Sequence, residues 1–266
     1  MDDNFNRCKL CRQPSAHPAY RLNDSIVYAC SECDFHFLNR LDTGPGSSEQ
    51  VGVLSEEARQ YIEMRADEGA HLHPNRLHLV EKLAQPSHST LLDIGAGLGQ
   101  FQLLAEEHGY KTSGIEPSSL RRQYALERFS LQLSGQLVDS DEWQNNYAGY
   151  FDLMTLWDVI EHVNFPLETL KASLKLLKPG GIILLDTPSR TVLPYRLSEM
   201  AYRLSFGKVS LFLPGFYSTS PFGHKQIFTP TQLTNLLQDL GLRIIHQAKS
   251  YTNTRKGDKI ILAAIK

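Results

Sequence analysis

The chain has 266 residues, 41% of them hydrophobic, and a formal net charge of −2 at pH 7. This length suits one large domain, or one large domain with a small appendage. The near-neutral charge excludes a protein that holds nucleic acid over its whole surface, so no nucleic-acid partner is expected. The first ten residues, MDDNFNRCKL, lack the apolar segment of a secretory signal, and no apolar run approaches the roughly 18 residues that span a bilayer. We therefore expect a cytoplasmic protein.

All four cysteines lie near the N-terminus, at Cys8, Cys11, Cys30 and Cys33. Two C-x2-C pairs separated by eighteen residues are typical of a structural zinc ribbon, in which four thiolates surround one ion. Two disulfides are the alternative, and they would need an oxidising compartment. Acidic and basic residues nearly balance over residues 1–45, unlike the basic face of a nucleic-acid-binding ribbon. We predict a zinc-ribbon head at 1–45.

A stretch rich in glycine, serine and proline follows the ribbon, so residues 46–85 are predicted to be a linker and a helical segment. Residues 56–85 have the pattern of two helices that are separated near GAHLHP. In the second helix, Leu77, Val80 and Leu83 recur at intervals of three. These helices either pack on the next domain or close over its ligand.

Strand and helix patterns alternate over residues 86–266. The segments TLLDIG, KTSGIEPS, YFDLMTLWDV and IILLDTP indicate strands, and GQFQLLAEEHG, PLETLKASLKLLKPGG and TPTQLTNLLQDLG indicate helices. The second of these helices is expected to stop at Pro179. Such alternation predicts a parallel sheet with helices on both faces. The last two strands, LRIIHQAKS and KIILAAIK, leave no room for a crossover helix, so we expect an antiparallel pair.

Three glycines, Gly95, Gly97 and Gly99, stand at alternate positions after the strand TLLDIG. A glycine-rich turn between a strand and a helix lets a ligand lie against the backbone at the carboxyl edge of the sheet, so we place all three in a cofactor site. The spacing departs from the G-x-G-x-x-G of a dinucleotide site, because position 100 is Gln100. Glu116 ends the next strand, where a carboxylate can bind ribose hydroxyls.

These motifs together resemble those of the class I S-adenosylmethionine-dependent methyltransferases. LLDIGAGLGQF is similar to the first motif of that family, GIEPS to the acidic motif that closes the second strand, and LKPGGIILLDTPS to the segment that leads through the fifth strand. The resemblance covers roughly residues 75–266. It implies an α/β fold with a seven-stranded, doubly wound, Rossmann-like sheet whose terminal strand is inserted antiparallel.

The resemblance also implies S-adenosylmethionine as the cofactor, with Asp93 and Gly95 near its methionine part and Glu116 on its ribose. Asp139, in LVDSDEW, is a candidate for binding the adenine amino group, and a solvated loop acid is the alternative. Trp157 is a candidate for lining the cofactor pocket, and a core aromatic residue is the alternative.

The segment LWDVIEHV follows the fourth strand and resembles the D/E-x-x-E-H stretch of the ubiquinone-pathway O-methyltransferases and their small-molecule relatives. This resemblance implies that Asp158, Glu161 and His162 serve the acceptor hydroxyl, either as a base or through a divalent cation such as Mg²⁺. His162 suits a general base because the ordinary pKa of histidine lies near neutrality, and that pKa should set a limb of the rate against pH. The alternative is that His162 orders the loop without contacting substrate.

An apolar and aromatic insertion occupies residues 190–223, ahead of GHKQIFTPTQL. We expect it to cover the acceptor. Its basic residues beside apolar ones also suit a peripheral contact with an anionic membrane, and a lid whose basic residues lie in water is the other interpretation. His224, which follows, faces either the pocket or solvent.

The sequence thus predicts an enzyme that transfers a methyl group from S-adenosylmethionine to a small-molecule acceptor, with a hydroxyl oxygen favoured over nitrogen or carbon. Two alternatives stay open. One is a zinc-ribbon adaptor or binding protein that keeps the cofactor fold without turnover, and the presence of Asp93, Gly95, Glu116 and His162 argues against it. The other is an RNA methyltransferase, and the balanced charge of the ribbon argues against that.

Overall fold

The computed structural model describes residues 5–42, 55–84, 89–217, 223–251 and 258–266, so most of the predicted linker lies outside the described residues. The chain divides into two compact units, and neither is one continuous stretch of sequence. The first unit comprises Met1–Asp42, Asp158–Leu170 and Asp186–Leu262. The second unit comprises Thr43–Trp157, Lys171–Leu185 and Ala263–Lys266. These units cut across the linear boundaries that the sequence suggested.

Strands and helices of the described residues are numbered here in chain order. The strands are β1 (Ala16–Leu22), β2 (Ser25–Cys30), β3 (His36–Leu38), β4 (Thr90–Ile94), β5 (Lys111–Ile115), β6 (Phe151–Trp157), β7 (Leu177–Pro188), β8 (Gln226–Ile227), β9 (Arg243–Ala248) and β10 (Lys259–Ile265). The helices are α1 (Glu56–Ala70), α2 (His73–Leu83), α3 (Gln100–Glu107), α4 (Ser119–Phe129), α5 (Asp141–Asn146), α6 (Pro166–Leu176), α7 (Leu193–Leu204), α8 (Leu213–Phe216) and α9 (Pro230–Asp239).

The larger sheet has the strand order β5-β4-β6-β7-β10-β9. Strand β4 pairs in parallel with both β5 and β6. Hydrogen bonds of 2.9 Å join Gly180 near the start of β7 to Lys266 at the end of the chain, and Ser189 after β7 to Asp258 before β10. Strand β10 is therefore antiparallel to β7. The predicted α/β fold, with a mostly parallel sheet and an inserted antiparallel terminal strand, is confirmed.

Two local predictions about this sheet are wrong. Helix α6 ends at Leu176 rather than at Pro179, because the following residues join β7, where Gly180 donates to the Lys266 carbonyl. Six strands, rather than seven, form the sheet in the described residues. The seventh is represented by an isolated parallel bridge between Ile115 and Ser134, and the residues at 136–137 that follow it are exposed.

The central strands of the larger sheet are mostly apolar, as expected of parallel strands that are covered on both faces. Leu91, Leu92, Leu153, Ile183 and Leu184 are almost completely buried. Burying one such side chain stabilises the fold by roughly 1.5–3 kcal/mol. This packing fixes the carboxyl ends of β4, β5 and β6, where the candidate site residues begin.

A second sheet, within the first unit, has the order β1-β2-β3-β8. Strand β3 pairs antiparallel with β8 in the register His36↔Ile227 and Phe37↔Gln226. The ribbon strands therefore share a sheet with a strand from the C-terminal part of the chain, which the predicted boundary at residue 45 does not anticipate. None of the helices in the described ranges is both long and apolar enough to cross a membrane.

Candidate functional site

The glycine-rich turn joins β4 to α3, and its three glycines have left-handed backbone conformations. A Cβ atom at Gly99 (φ +74°) would overlap the side chain of Leu131, so core packing requires glycine there. A Cβ atom at Gly97 (φ +59°) would meet no atom of the described residues within 4 Å. The two glycines thus serve different purposes: Gly99 admits a core side chain, and Gly97 leaves open space in which a ligand can approach the backbone.

Glu116, directly after β5, is brought to this turn. Its carboxylate is 3% exposed and accepts the backbone N–H groups of Gly97 and Ser118, each at 2.8 Å. Hydrogen bonds to an ionised acceptor are stronger than neutral ones. Glu116, which is predicted to bind the ribose, therefore also stabilises the backbone of the glycine-rich turn.

Asp93 and Trp157 lie at the ends of the neighbouring strands β4 and β6. Asp93 is buried and accepts a hydrogen bond from the Thr155 hydroxyl at 2.6 Å. The Trp157 ring contacts Phe101 edge to face, with ring centroids 5.4 Å apart, and the Arg76 guanidinium lies 5.3 Å from its centroid. The indole Nε1 of Trp157 is buried and has no hydrogen-bond partner among the described residues.

Asp139 is exposed in the loop before α5, so its contact with adenine stays a prediction. It belongs to the second unit, as do the glycines, Glu116, Asp93 and Trp157.

Asp158, Glu161 and His162 belong to the first unit and lie in the loop between β6 and α6. Asp158 has a left-handed backbone (φ +55°), and its N–H donates to the Asp186 carboxylate at 2.9 Å. The Asp158 carboxylate forms an ion pair with Lys259, whose Nζ also lies 3.5 Å from Asp186. A cation bound by Asp158 would have to compete with this ammonium group.

Among the described residues, the cluster of possible metal-ligating side chains at this loop contains Glu161, His162 and His224, and it does not contain Asp158. The Glu161 side chain is fully buried; its Oε2 accepts the Thr187 hydroxyl at 2.9 Å, and its Oε1 has no hydrogen-bond partner in the described part of the chain. His162 Nε2 lies 3.9 Å from that Oε1, and the rings of His162 and His224 have centroids 4.8 Å apart. His162 Nδ1 is likewise buried without a partner among these residues.

Burial sets the charge of this group. It raises the pKa of Glu161 well above its ordinary value, and nearby Asp158 adds to the effect. Burial, followed by the neighbouring His224, lowers the pKa of His162 to about 4. Burial also lowers the pKa of His224. Both imidazoles are therefore neutral near pH 7, and a neutral imidazole can accept a proton.

The four cysteines are brought together. Their Sγ atoms all lie within 4.8 Å of one another, with Cys8–Cys33 and Cys11–Cys30 each at 3.6 Å. All four are free thiols. The hydrogen bond with Cys33 lowers the pKa of Cys8 to about 5, whereas burial raises the pKa of Cys11 to about 11. A tetrahedral zinc ion with Zn–S distances of about 2.3 Å places its sulfurs about 3.8 Å apart, so this donor set fits one zinc ion.

The insertion supplies α7 and α8, and its residues 218–222 lie outside the described ranges. The buried face of α7 packs on the ribbon sheet, where Tyr195 shares a hydrophobic cluster with Tyr20 and Leu38. The Tyr195 hydroxyl is hydrogen bonded to His36 at 2.9 Å and to Tyr217 at 2.6 Å. The sequence prediction of a cover over the acceptor did not include this packing.

Three residues that contact the loop between β6 and α6 were not predicted: Lys225, Gln226 and Lys259. A Lys-Gln pair directly before the apolar Ile227 and Phe228 was an available signal, because buried polar side chains need partners. Lys259 opens an apolar strand and gives no comparable signal.

Comparisons with known proteins identify the family of the chain. A family model described as a methyltransferase domain matches residues 64–247. The chain is 34% identical over 144 residues to the ubiquinone biosynthesis O-methyltransferase of Nitrosococcus oceani, covering 50% of this chain and 59% of the relative. It is 26% identical over 177 residues to the enzyme of the same name from Xanthomonas axonopodis pv. citri, covering 65% of this chain and 70% of the relative. The chain thus spans less than two thirds of the Nitrosococcus oceani relative.

Solved structures share the fold at low identity. The 1,6-didemethyltoxoflavin-N1-methyltransferase of Burkholderia thailandensis, with bound 1,6-didemethyltoxoflavin and S-adenosylhomocysteine, is 16% identical with a TM-score of 0.57, covering 95% of this chain and 99% of that one. An S-adenosylmethionine-dependent methyltransferase from Aquifex aeolicus is 13% identical with a TM-score of 0.54, covering 77% and 97%. Because the family model matches more than half of the chain, the protein belongs to the methyltransferase-domain family, with the class I S-adenosylmethionine-dependent fold.

Proposed function

We propose that this protein transfers a methyl group from S-adenosylmethionine to a hydroxyl oxygen of a small-molecule acceptor. The observation that carries the proposal is the group of Glu161, His162 and His224, which combines neutral imidazoles with buried polar atoms that have no hydrogen-bond partner among the described residues. The relatives that are ubiquinone biosynthesis O-methyltransferases support a hydroxyl acceptor.

For cofactor binding we propose the glycine-rich turn and the acids beside it. S-adenosylmethionine supplies an electrophilic methyl group on a sulfonium. The open space at Gly97 supports close approach of such a ligand to the backbone. The Glu116 carboxylate accepts the backbone N–H groups of Gly97 and Ser118, so it lies directly against the glycine-rich turn, and this position supports a role in binding the ribose. Asp93 near the methionine part, Asp139 on adenine and Trp157 on the pocket wall complete the proposal.

His162 is the proposed general base. The His162 imidazole would take the proton of the acceptor hydroxyl as that oxygen gains the methyl group, which S-adenosylmethionine, when bound, would supply by breaking its carbon–sulfur bond. Glu161, whose Oε1 lies 3.9 Å from His162 Nε2, is the carboxyl group next to the imidazolium that forms. Such a base typically contributes about 10²–10⁴-fold to the rate.

The alternative role for the loop is a divalent cation. The ion pair between Asp158 and Lys259 weakens the predicted magnesium set of Asp158, Glu161 and His162, and Mg²⁺ prefers oxygen ligands to imidazoles. Activity that survives treatment with a chelator of divalent cations supports the base. Activity that is lost and returns with added Mg²⁺ supports the cation.

For the ribbon we propose one structural zinc ion held by Cys8, Cys11, Cys30 and Cys33. The spacing of the four sulfurs supports it. Four thiolates fill a tetrahedral shell and leave no open position, so the metal stabilises the ribbon and takes no part in the chemistry.

We further propose that the outer face of α7 docks on an anionic membrane surface. Its exposed apolar side chains recur at positions i, i+4, i+7 and i+11, which places them on one face of the helix: they are Leu193, Leu197, Met200 and Leu204, and the exposed Phe206 and Phe212 follow. Leu204 is 74% and Phe206 is 94% exposed.

Charge favours an anionic lipid surface over a second copy of the chain. Arg196, Arg203 and Lys208 are exposed beside this face. Glu199, the one acid in the sequence from 190 to 217, accepts a hydrogen bond from Tyr20 at 2.8 Å. Two copies that met through this face would bring like charges together. Apolar residues flanked by basic ones suit the headgroup boundary of an anionic bilayer, where an apolar acceptor would also be found.

Liposome co-sedimentation tests this contact. The protein should sediment with phosphatidylglycerol vesicles, should bind less as salt is raised, and should lose binding in Leu197→Ser/Leu204→Ser. Leu126→Ser is the matched control, because Leu126 is a singly exposed leucine on α4. Dimerisation through the same face, or sedimentation that is equal in both variants, would overturn the membrane proposal.

Mass spectrometry of reaction products tests the proposed function. Protein incubated with methyl-labelled S-adenosylmethionine and a small-molecule metabolite extract should give a product that carries the label on oxygen. The His162→Ala variant should give the labelled product only at background level. Transfer that requires RNA, and is removed by ribonuclease, would replace the proposal with an RNA methyltransferase. Cofactor binding without any labelled product would favour the silent binding protein.

A further inference from the structure

The loop that carries Glu161 and His162 is held by Gln226, the first residue of β8, and by Lys225 directly before it. Every backbone carbonyl of residues 160–163 accepts a hydrogen bond from Lys225 or Gln226. The Gln226 side-chain amide bridges the first and last of these carbonyls, at 2.8 and 2.7 Å. The Lys225 N–H donates to the Glu161 carbonyl at 2.8 Å, and the Lys225 ammonium donates to the His162 carbonyl. The loop backbone thus depends on two neighbouring residues.

Both donors are buried, so their geometry is constrained. Lys225 is 2% exposed, and its ammonium also pairs with Asp42 at 2.6 Å. Gln226 is fully buried. Burying an amide or an ammonium without partners is costly, so these side chains keep their bonds to the loop as long as β8 stays in place.

Strand β8 stays in place through the ribbon. It pairs antiparallel with β3, and the Leu38 N–H donates to the Lys225 carbonyl at 2.7 Å. Strand β3 begins three residues after Cys33, whose carbonyl accepts the Gln232 side-chain amide at 2.7 Å. Ligation of Cys30 and Cys33 by a metal would therefore fix the turn that starts β3, and with it the partner of β8.

We infer that the ribbon is a positioning element for the acceptor loop, and that Lys225 and Gln226 are the positioning residues that transmit its order to Glu161 and His162. Loss of the ribbon metal loosens β8 and the loop. The affinity for S-adenosylmethionine stays unchanged, because the residues proposed to bind it belong to the second unit. The consequence for turnover rests on the proposed function. The structural consequence does not.

Hydrogen exchange of the full chain tests the structural part without any methyl transfer. Metal-loaded protein is compared with protein stripped by a chelator and with stripped protein reloaded with zinc. Amide exchange in residues 156–165 and 223–228 should accelerate tenfold or more on stripping and recover on reloading, while residues 90–116 stay unchanged. Acceleration confined to residues 5–42 would overturn the inference. Because no acceptor is needed, this result is independent of the proposed function.

Variants of the metal-loaded protein test the positioning residues themselves. Gln226→Met and Lys225→Met should lower kcat tenfold or more with the Kd for S-adenosylmethionine within twofold of wild type, and Lys225→Arg should recover most of the rate because it restores a charged donor. Gln123→Met, on α4, is the matched control, since Gln123 bonds only its helix neighbour Glu127 among the contacts that the structure describes. Loss of kcat and cofactor affinity together, or equal loss in Lys225→Arg and Lys225→Met, would overturn the assignment.

Discussion

Replacing Gly97 with alanine should weaken S-adenosylmethionine binding while leaving the fold largely intact. The added Cβ meets no described atom within 4 Å in the free protein, so the cost to folding is the strain of a left-handed alanine, about 1–2 kcal/mol. In the complex the same methyl group would occupy space that the cofactor needs. Inserting a methyl group into a filled site typically costs about 1–3 kcal/mol, which corresponds to about 5–150-fold in Kd.

Gly109→Ala is the matched control for this experiment. Gly109 also has a left-handed backbone (φ +89°), and a Cβ there also meets no described atom within 4 Å, but it lies after α3 and away from the glycine-rich turn. Calorimetric titration should give a weaker Kd in Gly97→Ala and an unchanged Kd in Gly109→Ala, with similar melting temperatures. Equal affinity in the two variants would refute the view that the space at Gly97 belongs to the cofactor.

Three further predictions concern the acid at the turn, the base and the ribbon. Glu116→Ala should weaken cofactor binding by roughly 1.5–3 kcal/mol in calorimetry, since it removes a charged hydrogen-bond acceptor, and an unchanged Kd would contradict this role. The rate of methyl transfer by the wild-type protein should stay level as pH falls below 6.5, the ordinary pKa of histidine. It should decline only toward pH about 4, where His162 in the folded protein takes up a proton, and the rate of His162→Ala should not show this decline. The depressed pKa of His162 in the folded state also makes stability depend on pH. Its contribution to the free energy of unfolding is present above pH 6.5 and is lost as pH falls toward about 4. Unfolding must therefore be measured in the same buffers as the rate. Cys30→Ser should lower the zinc content from one equivalent per chain toward zero with cofactor binding still measurable, and a full equivalent of zinc in the variant would contradict the four-cysteine site.

Features that depend on local spacing were predictable from the sequence. Two C-x2-C pairs specify a four-sulfur site, and three alternate glycines after an apolar strand specify a turn at the carboxyl edge of a sheet. Glu116 follows from the same logic, because the ends of adjacent parallel strands meet at one edge. The alternation of strands and helices predicts a mostly parallel sheet with an antiparallel strand near the end of the chain.

Features that depend on contacts between distant residues were not predictable. Nothing near Gln226 in the sequence indicates that a two-residue strand pairs with Phe37. The pairing of Lys259 with Asp158 is equally remote, and it changes how Asp158 can act. The ordinary pKa of histidine suggested a limb near neutrality, but burial moves the pKa of His162 to about 4. Burial of a loop residue is set by tertiary packing, which sequence periodicity does not report.

The central claim is that the chain turns over S-adenosylmethionine, and measurement of S-adenosylhomocysteine formation tests it most directly. Wild-type protein, mixed with the cofactor and a small-molecule metabolite extract, should release S-adenosylhomocysteine in an acceptor-dependent reaction that exceeds one equivalent per chain. His162→Ala should bind the cofactor with wild-type affinity and release at least a hundredfold less. Tight binding of S-adenosylmethionine with no release of S-adenosylhomocysteine by the wild-type protein would contradict the account.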